Sequence, residues 1–146
     1  MYTPEDFMKK ALSLAQKAFD IGEVPVGALI VKDGKIIAAA YNVIEKTGSV
    51  LGHAEIQAIK KASAKIGNWR LNGCDLYVTL EPCPMCAGAI VNARIEQLYY
   101  GASDDKASSS SILQSGAYNH KTACHPGILK DDCQKLLKAF FKKLRD

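Results

Sequence analysis

The chain has 146 residues, 48% hydrophobic and 23% charged, which is the length and balance of one ordinary globular domain over 1–146. That excludes a disordered tail, a collagen and a repeat array, and no apolar run approaches the roughly 18 residues of a membrane span. The net charge of +4 is concentrated at the end: residues 127–146 hold six Lys/Arg against three Asp. Such a tail can meet phosphates, or it can simply be the solvated face of a helix. Glu5 and Asp6 stand where a secretory signal would be basic and then apolar, so the expected address is the cytoplasm. Five cysteines, an odd number, then read as metal ligands, catalytic groups or core filler rather than disulfides.

In chain order, Phe7, Ala11, Leu14, Ala15, Ala18 and Phe19 recur at helical spacing after Thr3-Pro4, and Ile21-Gly22 closes that helix. Residues 24–31 and 35–42 are apolar, β-rich runs with Asp33-Gly34 between them, the signal of a hairpin. A polar loop with Thr47, Gly48 and Ser49 leads to a helix over 54–66. A strand at 75–80, a proline-opened helix at 84–93 and a strand at 95–101 follow. Residues 102–126 read as irregular, with Ser108, Ser109, Ser110 and Ser111 as a low-complexity run. The last helix spans 127–144, with Leu129, Cys133, Leu136, Leu137, Phe140 and Phe141 as its apolar positions. Strands and helices interleave throughout, which predicts an α/β architecture with helices packed on a central sheet.

Cys83 and Cys86 lie three apart at a helix start, on one face, where the helix N-terminus favours thiolates. A lone pair of this kind is a redox couple or half of a structural zinc site. A redox couple ordinarily follows the first strand of its fold, and this one sits mid-chain. His53, at the start of another helix, supplies a third ligand. Two thiolates and a neutral imidazole cancel the charge of Zn²⁺ and leave one open position, the pattern of a catalytic site, where a water becomes more acidic. Glu55, two positions on, can take and deliver the proton. By itself an acid in a first turn is commonplace. A closed structural site would need a fourth ligand from Cys74, Cys124, Cys133, His120 or His125, none of which forms a second tight pair at zinc-finger spacing.

His53-Ala54-Glu55 followed by Pro82-Cys83-Pro84-Met85-Cys86 resembles the signature of the zinc-dependent cytidine and nucleobase deaminases. Glu23-Val24-Pro25-Val26-Gly27, the run from Thr79 to Ile90, Ala93-Arg94-Ile95, Asn119-His120 and Gly127-Ile128-Leu129 look like the branch of bacterial tRNA-specific adenosine deaminases, so the resemblance covers nearly the whole chain. It implies a cytidine-deaminase-like three-layer fold, with a central mixed sheet of about five strands flanked by helices. It implies a homodimer, one Zn²⁺ per chain and no organic cofactor. The implied reaction is hydrolytic deamination of adenosine to inosine at the wobble position of a tRNA anticodon stem-loop, releasing ammonia, with Glu55 carrying the protons. By motif position Asn42 contacts the base, Val26 lines the pocket, the backbone around Ala54 touches the base and Asp104 lies beside the nucleotide.

Read without the resemblance, Asn42 is a turn residue, Val26 a buried strand valine and Asp104 a solvated loop acid. Two other readings stay open: a deaminase of free guanine or cytosine, and a non-catalytic zinc-stabilised nucleic-acid-binding module. Two departures bear on them. Serines stand near 108 and 111 where the branch has glycines, which predicts a different loop path. Ser49-Val50-Leu51-Gly52 stands where the branch has Asp-Pro-Thr-Ala. Both lie near the nucleic-acid mouth and concern the substrate rather than deamination. Lys135, Lys138, Lys142, Lys143 and Arg145 are candidate phosphate contacts. Trp69, Tyr77, Tyr99 and Tyr100 read as packing residues, with Tyr100 near the pocket, and Cys74, Cys124 and Cys133 as small buried hydrophobes. Glu81 is either an orienting group for Cys83 or an ordinary acid.

Overall fold

The structure is a computed structural model, and it describes residues 1–104 and 109–146. The elements run α1 (Pro4–Asp20), β1 (Gly27–Lys32), β2 (Lys35–Tyr41), α2 (Ile44–Thr47), α3 (Ala54–Ile66), β3 (Cys74–Leu80), α4 (Pro84–Asn92), β4 (Gln97–Ala102), α5 (Ser110–Gln114), β5 (Ala123–His125) and α6 (Lys130–Arg145). The five strands form one sheet in the order β2-β1-β3-β4-β5. β1 pairs antiparallel with β2 and β3, whereas β3–β4 and β4–β5 are parallel. The expected mixed sheet of about five strands is therefore present, with helices on both faces.

Strand alternation sorts the core into two layers. On one face Ala28, Ile30, Leu76, Val78 and Leu98 meet Ala54, Ala58 and Ala62 of α3 and Ala87, Ile90 and Val91 of α4. On the other, Leu29, Val31 and Tyr77 meet Phe7, Met8 and Ala11 of α1 and Cys133 of α6. The central strands are buried on both faces, so they read as unbroken apolar runs. The edge strand β2 is buried at only alternate positions of its second half. Small residues let the helices sit close. A Cβ on Gly27 would collide with the Ala11 carbonyl, and one on Gly101 would collide with the Cys133 sulfur and come within 3.0 Å of the Thr79 and Ile128 carbonyls.

The hairpin turn is as expected: Asp33 and Gly34 have φ of +51° and +75°, the paired left-handed conformations that match the twist of the flanking strands. Thr3 caps α1 reciprocally with Asp6, which also holds the Asp6 carboxyl below its usual range. Three elements depart from the sequence reading. α2 falls in the segment read as a polar loop, and α5 and β5 fall in the stretch read as irregular. At four, five and three residues they are too short to show a period. Ser108 lies outside the described residues. α6 begins at Lys130, after Leu129 at φ +53°, and its Phe141 faces solvent. Trp69 is likewise on the surface, under the Arg70 guanidinium at 4.3 Å, rather than in the core. Tyr77 is buried and stacks on Tyr99 at 4.4 Å, which in turn stacks on His125 at 4.5 Å.

Candidate active site

The order of strands brings chemistry to one edge of the sheet. β2 ends at Tyr41 opposite Gly27, and β3 ends at Leu80 opposite Ala102 of β4. The loops leaving this edge carry the chain into α3 and α4, so the N-termini of both helices converge there. His53 is the residue before the first turn of α3, and Cys83 holds the same place in α4. Cys86, one turn into α4, is buried.

His53 Nδ1 lies 3.5 Å from Cys86 Sγ and 3.8 Å from Cys83 Sγ, and the three ligand atoms all lie within 4.8 Å of one another. A tetrahedral ion with sulfur at about 2.3 Å and nitrogen at about 2.0–2.1 Å has an N···S edge of roughly 3.6 Å. The donor set and its spacing thus fit zinc, with Nδ1 as the imidazole ligand. Among the described residues this is the sole trio of His, Cys, Asp or Glu so placed. Cys74, Cys124 and Cys133 are free thiols elsewhere, and His120 and His125 bond to Ile95 O and Gln97 Oε1. None of the described candidates for a fourth ligand joins the cluster.

The electrostatics match. A hydrogen bond from Cys86 is the largest influence on Cys83, whose thiol is brought down to about 5, helped by backbone amides of the first turn and by His53. Cys86 moves the other way, because it donates to Cys83 and is buried beside Glu55. One proton is thus held on Cys86, and a cation that displaces it finds two thiolates. Glu55 is almost wholly buried, and burial pushes its carboxyl up to about 7, with the nearby Cys83 charge adding to the shift. A carboxyl that titrates near neutrality both accepts and returns a proton readily.

These groups open into a cavity of about 190 Å³, the space of roughly six waters, which suits a single flat heterocycle. Val26, Asn42, Glu55 and Asp104 line it, together with His53 and Cys83. Ala54 is buried and stands behind the wall: its N–H donates to Asn42 Oδ1 at 2.8 Å. That bond engages the Asn42 amide oxygen and leaves its NH₂ group as the donor it can offer a ligand. Val24, Ile44 and Leu80 complete the apolar wall. Val24 and Leu80 lie within the family-like motifs but carry no separate signal of a pocket role, and Ile44 has none beyond its apolar character.

Glu81 also lines the cavity, and its Oε1 accepts the Asp104 N–H at 2.9 Å. It therefore ties the strand end before Cys83 to Asp104. Five residues on, Ser109 donates its hydroxyl to the Pro82 carbonyl at 2.8 Å, and both residues are buried. Asp104 and Ser109 are thus both bonded to the segment that presents Cys83. Tyr100 packs against the core instead of lining the cavity. A wider open groove of about 500 Å³ lies toward the other edge, along Glu96, Gln114 and Lys121, away from the ligand trio.

Residues 3–145 match the family model of MafB19-like deaminases. A tRNA-specific adenosine deaminase of Bacillus subtilis (strain 168) is 45% identical over 149 residues, covering 99% of this chain and 92% of that protein. The chain belongs to this deaminase family. Among solved structures, one from a study of A-to-I editing by tRNA:A34 deaminases at the wobble position superposes with a TM-score of 0.82 at 40% identity. It covers 90% of this chain and 98% of its own. A guanine deaminase of Bacillus subtilis superposes with a TM-score of 0.67 at 42% identity over 70% of this chain and 66% of its own. In this deaminase no helix of the described residues is long and apolar enough to cross a membrane.

Proposed function

We infer that this chain is a tRNA-specific adenosine deaminase, converting adenosine at the wobble position of an anticodon loop to inosine by hydrolysis. The observation that carries the reading is the meeting of the His53, Cys83 and Cys86 ligand atoms with the near-neutral carboxyl of Glu55 in one base-sized cavity. Likeness to a tRNA-specific adenosine deaminase over almost the full length supports the substrate. A guanine deaminase of Bacillus subtilis is similar over 70% of the chain, so a free base is the second reading.

His53 Nδ1 and the sulfurs of Cys83 and Cys86 would hold one zinc ion per chain, and the set is neutral once both thiols are deprotonated. When bound, the ion supplies Lewis-acid activation of water for attack on the base. Glu55 accepts the proton of that water and delivers it to N1 of the purine as oxygen bonds to C6. It then takes the proton of the new C6 hydroxyl and passes it to the exocyclic nitrogen, and the C6–N bond breaks as the C6 carbonyl forms, giving inosine and ammonia. Asn42 donates its amide N–H to an acceptor on the purine edge, in the orientation that Ala54 imposes. Val26, Ile44 and Leu80 clamp the ring and exclude water, and Asp104 stands at the mouth beside the nucleotide. A loop base is poorly stacked, so swinging it into the cavity costs little.

A homodimer in the cytoplasm is part of this reading. Exposed Val50, Leu51 and Met85 flank the ligand loops, as expected of residues that a second copy covers. The exposed Lys135, Lys138, Lys142, Lys143 and Arg145 of α6 supply phosphate contacts. The test is a panel of anticodon stem-loop, free adenosine, guanine and cytosine, scored for inosine and ammonia. Conversion confined to the stem-loop is expected. Guanine consumption with an unchanged stem-loop would overturn the reading in favour of the second.

A further inference from the structure

The residue that sets the cavity's far wall lies outside the cavity. Glu23 follows α1 and is 2% exposed, an expensive place for a carboxylate without partners. It has two. Oε1 accepts the Glu45 N–H at 3.0 Å and Oε2 accepts the Lys46 N–H at 2.8 Å. Both donors are first-turn amides of α2, four residues long, with Gly48 in the left-handed conformation ending it. No side chain of its own caps that turn, so a carboxylate from 22 residues away does the work.

What the turn touches gives Glu23 its reach. Ile44 at the start of α2 lines the cavity, and Asn42 lies two residues before it. Val43 between them donates its N–H to the Gly52 carbonyl at 2.8 Å, directly before His53. A Cβ on Gly52 would lie 2.7 Å from Ile44 Cα and 2.8 Å from the Val43 carbonyl carbon, so the two backbones are in contact. Asn42 Oδ1 closes the circuit on the Ala54 N–H, directly after His53. The short turn is thus wedged between Glu23 on one side and the His53 loop on the other.

We propose that Glu23 is a positioning residue for the deaminase site: its two bonds to α2 hold the Asn42–Ile44 wall in register with the His53 loop. This rests on the deaminase reading for its kinetic consequence and not for its structural one. Gln at position 23 keeps the shape, but its NH₂ faces one of the two N–H donors, so one bond is lost and a donor is left opposed. The wall then drifts relative to the metal loop, and small misplacements of this kind cost up to about 100-fold in rate.

The experiment is amide hydrogen exchange of the metal-loaded protein, residue by residue, with E23Q and G52A beside the wild type. G52A pushes the same wedge from the opposite side and serves if E23Q does not fold. Exchange is expected to quicken at least tenfold at Glu45 and Lys46 in E23Q, and also at Val43 and Ala54 in both variants, while β1 and β3 amides stay as they are. kcat/KM on the stem-loop is expected to fall about 10- to 100-fold at unchanged zinc content. Acceleration at Glu45 and Lys46 alone would reduce Glu23 to a local cap and overturn the proposal, as would wild-type kcat/KM in a variant whose wall amides exchange faster. If the wild type deaminates no substrate, the functional reading fails, and the exchange pattern at Val43 and Ala54 still decides the role of Glu23.

Discussion

The floor of the cavity and its rim are held by different bonds. The floor, where His53, Glu55, Cys83 and Cys86 meet, sits on the first turns of α3 and α4, helices packed into the sheet through Ala54, Ala58, Ala87 and Ile90. The rim, from Ile44 to Asp104, is tied by side-chain bonds from two carboxylates, two from Glu23 to α2 and one from Glu81 to the Asp104 N–H. Packed helices resist a change at any one residue, whereas a rim tied by side-chain hydrogen bonds shifts when one of them is altered. Chemistry thus sits on the rigid part and substrate fit on the adjustable part.

Changes to the floor are the sharpest way to break this division. Cys86→Ser is expected to take zinc content from one per chain to near zero and activity below detection, measured by metal analysis. Zinc added back after chelation should restore the wild type and not the variant. Next in size, Glu55→Ala should keep zinc and fold but lose roughly 10²- to 10⁴-fold in kcat. A near-wild-type rate there would put the protons on another group.

At the boundary, Asn42→Ala removes the acceptor for the Ala54 N–H and the donor to the base that we propose, together. At about 1–3 kcal/mol for a buried polar group left unpaired, we expect a loss of about 10- to 100-fold in kcat/KM. Ser109→Ala, on the rim, strands the Pro82 carbonyl. It should lower the melting temperature by several degrees, the equivalent of about 1–3 kcal/mol, and change kcat by only a few-fold. Smallest per residue, neutralising the α6 cations should weaken stem-loop binding and flatten its salt slope by about 0.7–0.9 for each phosphate that is no longer neutralised. An unchanged slope would remove α6 from the interface.

Each half of the floor was legible in the sequence because its spacing is local, and the family-like motifs are what joined the two halves across 30 residues. His53 and Glu55 are two apart, and Cys83 and Cys86 three apart, so helix geometry alone sets each pair. The hairpin was legible for the same reason, through Asp33-Gly34. The rim was not, since its determinants are long-range. Glu23 stands in one of the family-like motifs, yet its partners lie 22 residues away in a turn too short to announce itself. Asn42 is legible by motif position, but its orientation depends on an amide across the loop. The Ser109 hydroxyl bond to the Pro82 carbonyl likewise joins residues 27 apart and leaves no mark in the sequence.

The close fit of Gly101 against Cys133 has a practical consequence. The thiol is buried on the inner face of α6, with no gap left for a reagent, and burial raises its pKa to about 12. An alkylating probe reaches that sulfur only while the C-terminal helix is lifted off β4. Labelling of Cys133 in native buffer, followed by mass spectrometry, therefore clocks how often the helix detaches. Because α6 also carries the cluster of lysines, bound RNA should slow that clock.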